Sequence, residues 1–150
     1  MADVTAQARI EAPAEKIWDR LTDFDGYDQW NATHTSFPEG GPATLEPGVS
    51  YAENMKLMGF PAEVTWTVRA AEPARLLDIQ GKGPMGVTLG MRYALVPESE
   101  ATAGARAGTT TVRIDGSFTG AAVSLMAGKL KDSATSALQE SLSKLARLVT

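Results

Sequence analysis

"GAAVSLMAGKLKDSATSALQESLSKLARLV", residues 120–149, is the stretch that decides the fold. It contains no proline, and leucine or alanine recurs every three or four positions, at 130, 134, 138, 142 and 145. This spacing is typical of one continuous helix with an apolar stripe along one side. At the rise of an α-helix, such a helix spans roughly 40 Å. A helix of that length needs a long groove, which the preceding residues have to supply.

The preceding chain predicts a curved sheet that forms this groove. Residues 3–10 alternate between apolar and polar side chains, which indicates a half-buried strand. Residues 12–24 read as a short helix, with Pro13 at its first position and Ile17, Trp18 and Leu21 as its apolar stripe. In residues 33–118, apolar and polar side chains again alternate, in about six strand-like segments separated by turns. Residues 98–108 are predicted to be a flexible hairpin loop.

The order of these elements indicates the architecture. Consecutive antiparallel strands with one apolar face have to cover that face, and the C-terminal helix is the available cover. A sheet of this size twists and curls. We therefore expect a single α+β domain over residues 1–150, in which a curved antiparallel sheet of about seven strands wraps around the long C-terminal helix and leaves space beneath it.

Composition narrows the classes of function. The chain has 14 Lys and Arg against 18 Asp and Glu, for a net charge of −4, which argues against a nucleic-acid partner. It has no cysteine and one histidine, so we expect no metal and no cofactor. No signal peptide and no apolar window of about 18 residues is visible, so we expect a cytoplasmic protein without stable membrane insertion. We expect a monomer or a weak homodimer.

Residues 10–31, "IEAPAEKIWDRLTDFDGYDQWN", resemble the START-like (SRPBCC) superfamily. The segments "KLMGFPAEVTWTV", "GKGPMGVTLGMRYALVP" and "IDGSFTGAAVSLMAGKLKDSATSAL" are similar to an actinobacterial subgroup of polyketide cyclase/dehydrase-like proteins that includes a relative described as a toxin. The resemblance implies a helix-grip fold of the Bet v 1 type. It also implies that Tyr27 and Trp30 close one end of an internal cavity.

The side-chain alternation predicts a mostly apolar interior. The inward positions of residues 87–95 include one ionisable group, Tyr93, and those of residues 62–70 and 112–118 include none. Residues 50–58 are ambiguous, because either Glu53 or Lys56 falls on the inward face, depending on the register. Five methionines, Met55, Met58, Met85, Met91 and Met126, are each interpreted as gap-filling core residues, and as a set they are also suited to lining a mostly apolar pocket. His34 is expected to be a surface residue or a hydrogen-bonded structural residue.

These positions predict a ligand-binding site with few polar anchors. The residues expected to contact the ligand are Trp30, Tyr51, Glu53, Met55, Leu57, Trp66, Leu77, Leu89, Met91, Tyr93, Ile114, Phe118, Met126 and Leu130. We favour binding or transport of an apolar small molecule, such as a lipid, a fatty acid or a polyketide-like compound, and assign no catalytic residue. Two alternatives stay open, a cyclase, aromatase or dehydratase and a toxin or regulatory protein that acts through a partner.

Overall fold

The computed structural model describes residues 2–57, 60–97 and 108–150. The predicted hairpin at residues 98–108 lies outside these ranges, apart from Gly108. The strands and helices, in chain order, are β1 Ala2–Ile10, α1 Ala14–Leu21, a 3-10 turn Phe24–Gln29, β2 His34–Ser36, β3 Ser50–Leu57, β4 Phe60–Glu72, β5 Leu76–Lys82, a second 3-10 turn Pro84–Gly86, β6 Thr88–Pro97, β7 Thr110–Thr119 and α2 Ala121–Val149.

The seven strands form one antiparallel sheet in the order β1-β7-β6-β5-β4-β3-β2. From β2 to β7, each strand pairs with the next strand along the chain, and β1 adds to the β7 edge, where Ala2 pairs with Phe118 and Ile10 with Thr110. The predicted curved sheet with one long C-terminal helix is therefore confirmed. The first and last strands of the chain are neighbours in the sheet, because β7 pairs with β1 directly before α2 begins.

Alternation along the strands separates a buried face from a solvent face. In β7 the buried positions are Thr110, Val112, Ile114, Gly116 and Phe118. In β3 they are Tyr51, Glu53 and Met55, while Lys56 is exposed. The ambiguity in β3 is thus resolved with the carboxylate inside. The partner strand supports this register, since Glu53 lies opposite the buried Val64.

Helix α2 covers the buried face of the sheet and packs on β1, β7 and α1. Its stripe Leu130, Leu138, Leu142, Leu145 and Val149 is buried, as the leucine spacing predicts. None of the helices in the described ranges combines the length and the apolar character that crossing a bilayer requires.

Two local features set the starting points of the helices. Pro13 is the N-cap of α1, with φ −68° and ψ 150°, so α1 begins at Ala14, one residue after the proline predicted to open it, and it ends at Leu21 instead of residue 24. Gly120 precedes α2 with φ +135°, a conformation that residues with a Cβ rarely adopt. A Cβ on Gly120 would also lie 3.1 Å from the carbonyl oxygen of Gly86, so the turn from β7 into α2 depends on glycine.

Candidate functional site

Two adjoining cavities lie between the sheet and α2. The first, which we call the polar lobe, has a volume of about 30 Å³. Its walls are Tyr27, Trp30, Asn31, Thr33, Tyr51, Glu53, Met55, Trp66, Ile79, Met91, Tyr93, Ile114, Ala137, Leu138 and Ser141. The second, the apolar lobe, has a volume of about 50 Å³. Its walls are Val4, Thr33, Met55, Lys56, Trp66, Leu89, Met91, Phe118, Leu130, Ser133, Ala134, Ala137 and Leu138.

The two lobes share a wall made of Thr33, Met55, Trp66, Met91, Ala137 and Leu138. Each lobe has room for a few water molecules, whereas pockets for drug-sized ligands measure roughly 300–1,000 Å³. A larger ligand therefore requires the shared wall to move. Methionine side chains suit such a wall because they are unbranched and rotate about three bonds.

A buried carboxylate forms the centre of the polar lobe. Glu53 is 3 % exposed, and Trp66 Nε1–H donates a hydrogen bond to its Oε1 at 2.9 Å. Its other oxygen, Oε2, lies 2.6 Å from Nδ1 of His34. The side chain of His34 is 5 % exposed, so this pair is shielded from solvent and becomes an ion pair when the imidazole is protonated. Both oxygens of Glu53 are thus held in fixed directions on the cavity wall.

His34 was not among the predicted site residues, and its interpretation as a surface residue is wrong. A three-residue strand carries too little alternation to show which side is buried, whereas the pairing of β2 with β3 places His34 beside Met55 and close to Glu53. The alternative interpretation, a hydrogen-bonded structural residue, agrees with the structure. His34 is not one of the residues lining the lobes and reaches the site through Glu53.

Three tyrosines surround the carboxylate. Burial raises the pKa of Tyr93, and the nearby Glu53 raises it further. Burial likewise raises the pKa of Tyr27 and of Tyr51, with smaller contributions from neighbouring tyrosines and from Glu53. All three side chains are therefore neutral phenols over the physiological pH range. They supply hydroxyl groups that can donate a hydrogen bond to a ligand.

The turn after α1 holds the end of the polar lobe in place. Its aromatic rings pack together, with centroids 5.1 Å apart for Phe24 and Tyr27 and 5.0 Å apart for Tyr27 and Trp30. The ring of His34 lies 5.5 Å from that of Tyr27. Tyr27 and Trp30 both line the polar lobe, where the resemblance places them. Trp30 is also the residue whose buried Nε1 has no hydrogen-bond partner among the described residues.

Next to the lobes, a hydrogen bond connects helix α2 with the loop that precedes β2. Ala32 N–H donates to Ser141 Oγ at 2.9 Å. Next to it, Asn31 Oδ1 accepts hydrogen bonds from the backbone N–H and the hydroxyl of Thr33, at 3.1 and 3.0 Å. Thr33 and Ala137 belong to the wall shared by both lobes. Any widening between this loop and the helix has to lengthen or break the bond to Ser141.

The structure brings most of the predicted ligand-binding residues to the two lobes, and their role in binding stays a prediction. Those that line a lobe are Trp30, Tyr51, Glu53, Met55, Trp66, Leu89, Met91, Tyr93, Ile114, Phe118 and Leu130. Leu77 is fully buried but lines neither lobe, because it packs in the closed core opposite Ala71 and Tyr93. The side chains of Leu57, Met58 and Met126 lie outside the described part of the structure.

Sequence reasoning missed the contribution of α2 to the walls beyond Leu130. Ala134 and Leu138 are four positions apart, as are Ala137 and Ser141, so helical periodicity could have identified them. The expectation for the methionines is wrong at Met85, which is 83 % exposed on the turn between β5 and β6. No cluster of three metal-ligating side chains occurs within the described ranges.

The chain matches a known protein family along its whole length. The family model described as "Polyketide cyclase / dehydrase and lipid transport" matches residues 1–150. The uncharacterized protein Rv1546 of Mycobacterium tuberculosis is 25% identical over 97 residues, which cover 65% of this chain and 68% of that protein. The actinobacterial resemblance thus leads to a mycobacterial relative whose activity its name does not give.

Two solved structures share the fold over their whole lengths. A START superfamily protein from Mycobacterium smegmatis superposes with a TM-score of 0.73 at 17% identity, covering 100% of both chains. Protein CV1439 from Chromobacterium violaceum superposes with a TM-score of 0.74 at 14% identity, covering 99% of this chain and 98% of that one. These likenesses show a START-type helix-grip fold and carry no information about a shared ligand.

Proposed function

Because the chain belongs to the polyketide cyclase/dehydrase and lipid transport family, we propose that it binds an apolar small molecule beneath α2. A lipid, a fatty acid or a polyketide-like compound fits this description. Family and fold support a ligand-binding function, and the identity of the ligand is the proposal. The observation that carries it is the division of the interior into a polar lobe and an apolar lobe with a common wall.

The walls of the two lobes suggest how such a ligand would lie. Val4, Leu89, Phe118 and Leu130 supply apolar contact in the apolar lobe, and Lys56 and Ser133 also belong to its walls. The polar lobe adds phenols and a carboxylate that can fix the orientation of one end. A ligand with its apolar body in the apolar lobe and its polar end in the polar lobe would satisfy both. Met55 and Met91 separate these positions and would have to rotate to admit the ligand.

Native mass spectrometry of the purified protein, together with organic extraction, tests the proposal. We expect a bound apolar compound, or uptake of an added fatty-acid or aromatic probe. Ala137→Phe fills the wall shared by both lobes and should reduce uptake at least tenfold. Ser136→Phe lies one residue earlier on an exposed position of α2 and is the matched control. Equal uptake by both variants would place the ligand elsewhere and contradict the proposal.

A second candidate function, proton-transfer catalysis of the cyclase or dehydratase type, is favoured by one observation. The Glu53–His34 pair sits at the wall of a cavity that three neutral phenols also line. A carboxylate held from behind is suited to take a proton from a carbon next to a ligand carbonyl, and a phenol is suited to donate a hydrogen bond to the carbonyl oxygen. Glu53 would be the general base and Tyr93 the donor, with His34 as a positioning residue.

Deuterium uptake at the methylene carbon of a β-diketone, followed by NMR, measures this activity without knowledge of the natural substrate. Glu53→Gln should abolish protein-dependent exchange, and Tyr93→Phe should slow it. Glu63→Gln changes an exposed carboxylate on β4 and should leave exchange unchanged. If Glu53→Gln and Tyr93→Phe both retain the full rate, these residues are not the catalysts, and ligand binding alone remains as the proposed function.

A further inference from the structure

We propose that the polar lobe selects a neutral ligand through an acceptor oxygen, such as a ketone, aldehyde or ester carbonyl, and that Trp30 Nε1–H donates the hydrogen bond to it. This inference rests on the proposed function, since it specifies the polar end of the same ligand. It assigns a specificity-determining role to a residue that would otherwise be a core aromatic.

The unpaired N–H of Trp30 is the first observation. The side chain is 1 % exposed and lines the polar lobe, yet its Nε1 has no partner among the described residues. A buried donor without an acceptor destabilises a protein, so buried polar groups are nearly always paired. Trp66 shows the paired arrangement in the same lobe, with its N–H bonded to Glu53. An acceptor atom brought by a ligand would give Trp30 the partner that the fold does not.

The second observation is that the carboxylate and amide acceptors of the polar lobe are already engaged. Both oxygens of Glu53 are bonded, one by Trp66 and one by His34. Asn31 Oδ1 accepts two hydrogen bonds from Thr33, as described above. A ligand that brought only donors would have to compete for these atoms or use the phenol oxygens, and it would leave the N–H of Trp30 unpaired. A ligand that brings an acceptor meets Trp30 and the phenol hydroxyls instead.

The third observation is the charge on the wall of the lobe. Glu53 is the charged residue among those lining the polar lobe in the described part of the chain. A ligand carboxylate would place a second acidic group beside it in a small, shielded space, which disfavours the ionised form of one of them. Burial raises the pKa of Tyr51 and of Tyr93, so neither brings further negative charge. While the imidazole of His34 is neutral, these groups therefore favour a neutral carbonyl over an anion.

Indole NMR on the intact protein tests the inference directly. The chain has three tryptophans, so a ¹⁵N-labelled sample gives three indole N–H signals that single Trp→Phe variants assign. Acetophenone, ethylbenzene and benzoate serve as probes of similar shape that carry a ketone, no oxygen and a carboxylate. We expect acetophenone to shift the Trp30 indole N–H signal downfield, because the proton becomes hydrogen-bonded. Ethylbenzene brings no acceptor and should cause no such downfield shift. The Trp66 signal, whose N–H is bonded to Glu53, is the bonded reference.

Affinities measured with two variants separate this role from packing. In Trp30→Phe the preference for acetophenone over ethylbenzene should fall by roughly three- to tenfold, as expected for the loss of one hydrogen bond. Trp18→Phe, at a half-buried position on α1 outside both lobes, should leave the preference unchanged. Benzoate should bind at least tenfold more weakly than acetophenone. The ratio of two ligands on one variant does not depend on how far that variant is destabilised.

The outcomes distinguish this inference from the proposed function. Suppose that acetophenone and ethylbenzene both bind, that acetophenone does not shift the Trp30 signal, and that Trp30→Phe keeps the preference for acetophenone over ethylbenzene. The role of Trp30 is then overturned, while ligand binding stands. Benzoate binding as tightly as acetophenone overturns the selection of a neutral ligand. If no probe binds and longer fatty acids and ketones are also excluded, the proposed function fails and this inference fails with it.

Discussion

The polar and apolar lobes share a wall but are built on different principles. In the polar lobe the carboxylate has specific partners, since Glu53 is bonded to both His34 and Trp66. In the apolar lobe, Leu89, Phe118 and Leu130 contribute volume, and one apolar side chain can replace another of similar size. The comparison teaches that removing a single atom from the polar lobe leaves another group unpaired, whereas the apolar lobe tolerates a change that preserves volume.

The largest expected effect is on stability at alkaline pH, because the chain's three tyrosines all line the polar lobe. The fold raises their pKa values above the ordinary 10.0. Below pH 10 both folded and unfolded chains keep these protons, and above it only the folded chain does. Stability should therefore fall as pH rises, by about 4 kcal/mol per pH unit for three such groups.

Phenolate absorbance and circular dichroism recorded through the same titration check this prediction. Because unfolding exposes the three phenols together, we expect phenolate to appear in one cooperative step that coincides with the loss of structure. A gradual rise in phenolate while the circular dichroism stays native would mean that the tyrosines are accessible in the folded protein. That result would remove the contrast between the lobes.

Glu53→Leu should produce the next largest effect. The substitution leaves the His34 ring nitrogen and the Trp66 N–H without their acceptor in a buried site. Each buried group left unpaired costs about 1–3 kcal/mol, so the free energy of unfolding should fall by about 2–6 kcal/mol. Urea denaturation measures the change, and Glu63→Leu on the exposed face of β4 is the control, with a change within about 0.5 kcal/mol.

Trp66→Phe sharpens the same comparison at one bond. It removes the donor that lies 2.9 Å from Glu53 Oε1 while keeping an aromatic ring. We expect a loss of about 2 kcal/mol, in the range for hydrogen bonds to charged groups. The half-buried Trp18 makes no such bond to a carboxylate of the described residues, so Trp18→Phe should cost less under the same urea denaturation. An equal loss in both variants would show that ring size, not the hydrogen bond, sets the cost.

Leu89→Met tests the apolar lobe and should have the smallest effect. Leucine and methionine have similar volumes, and Leu89 contacts this lobe without a polar partner. We expect the free energy of unfolding to fall by less than about 1.5 kcal/mol. Thermal and urea denaturation give the value. A loss as large as that of Glu53→Leu would mean that the apolar lobe is as tightly specified as the polar one.

Several parts of the site followed from periodicity alone. Burial of Leu89 and Tyr93 in β6 and of Ile114 and Phe118 in β7 follows from alternation over ten-residue strands. A long regular pattern fixes which side faces the helix, because a register shift would expose every apolar residue at once. Leu77 shows the limit, since alternation predicted its burial correctly but could not tell a cavity wall from closed core.

The sequence by itself determined the class of fold and, for most strand and helix positions, whether the side chain faces the interior or the solvent. The leucine spacing of α2 and the alternation of the strands are local, and local patterns need no knowledge of which segments meet. Only the tertiary structure decided that His34 lies against Glu53, because that pair joins residues 19 positions apart across β2 and β3. The same holds for Trp30, since whether a buried N–H finds an acceptor depends on neighbours that only the packed sheet and helix supply.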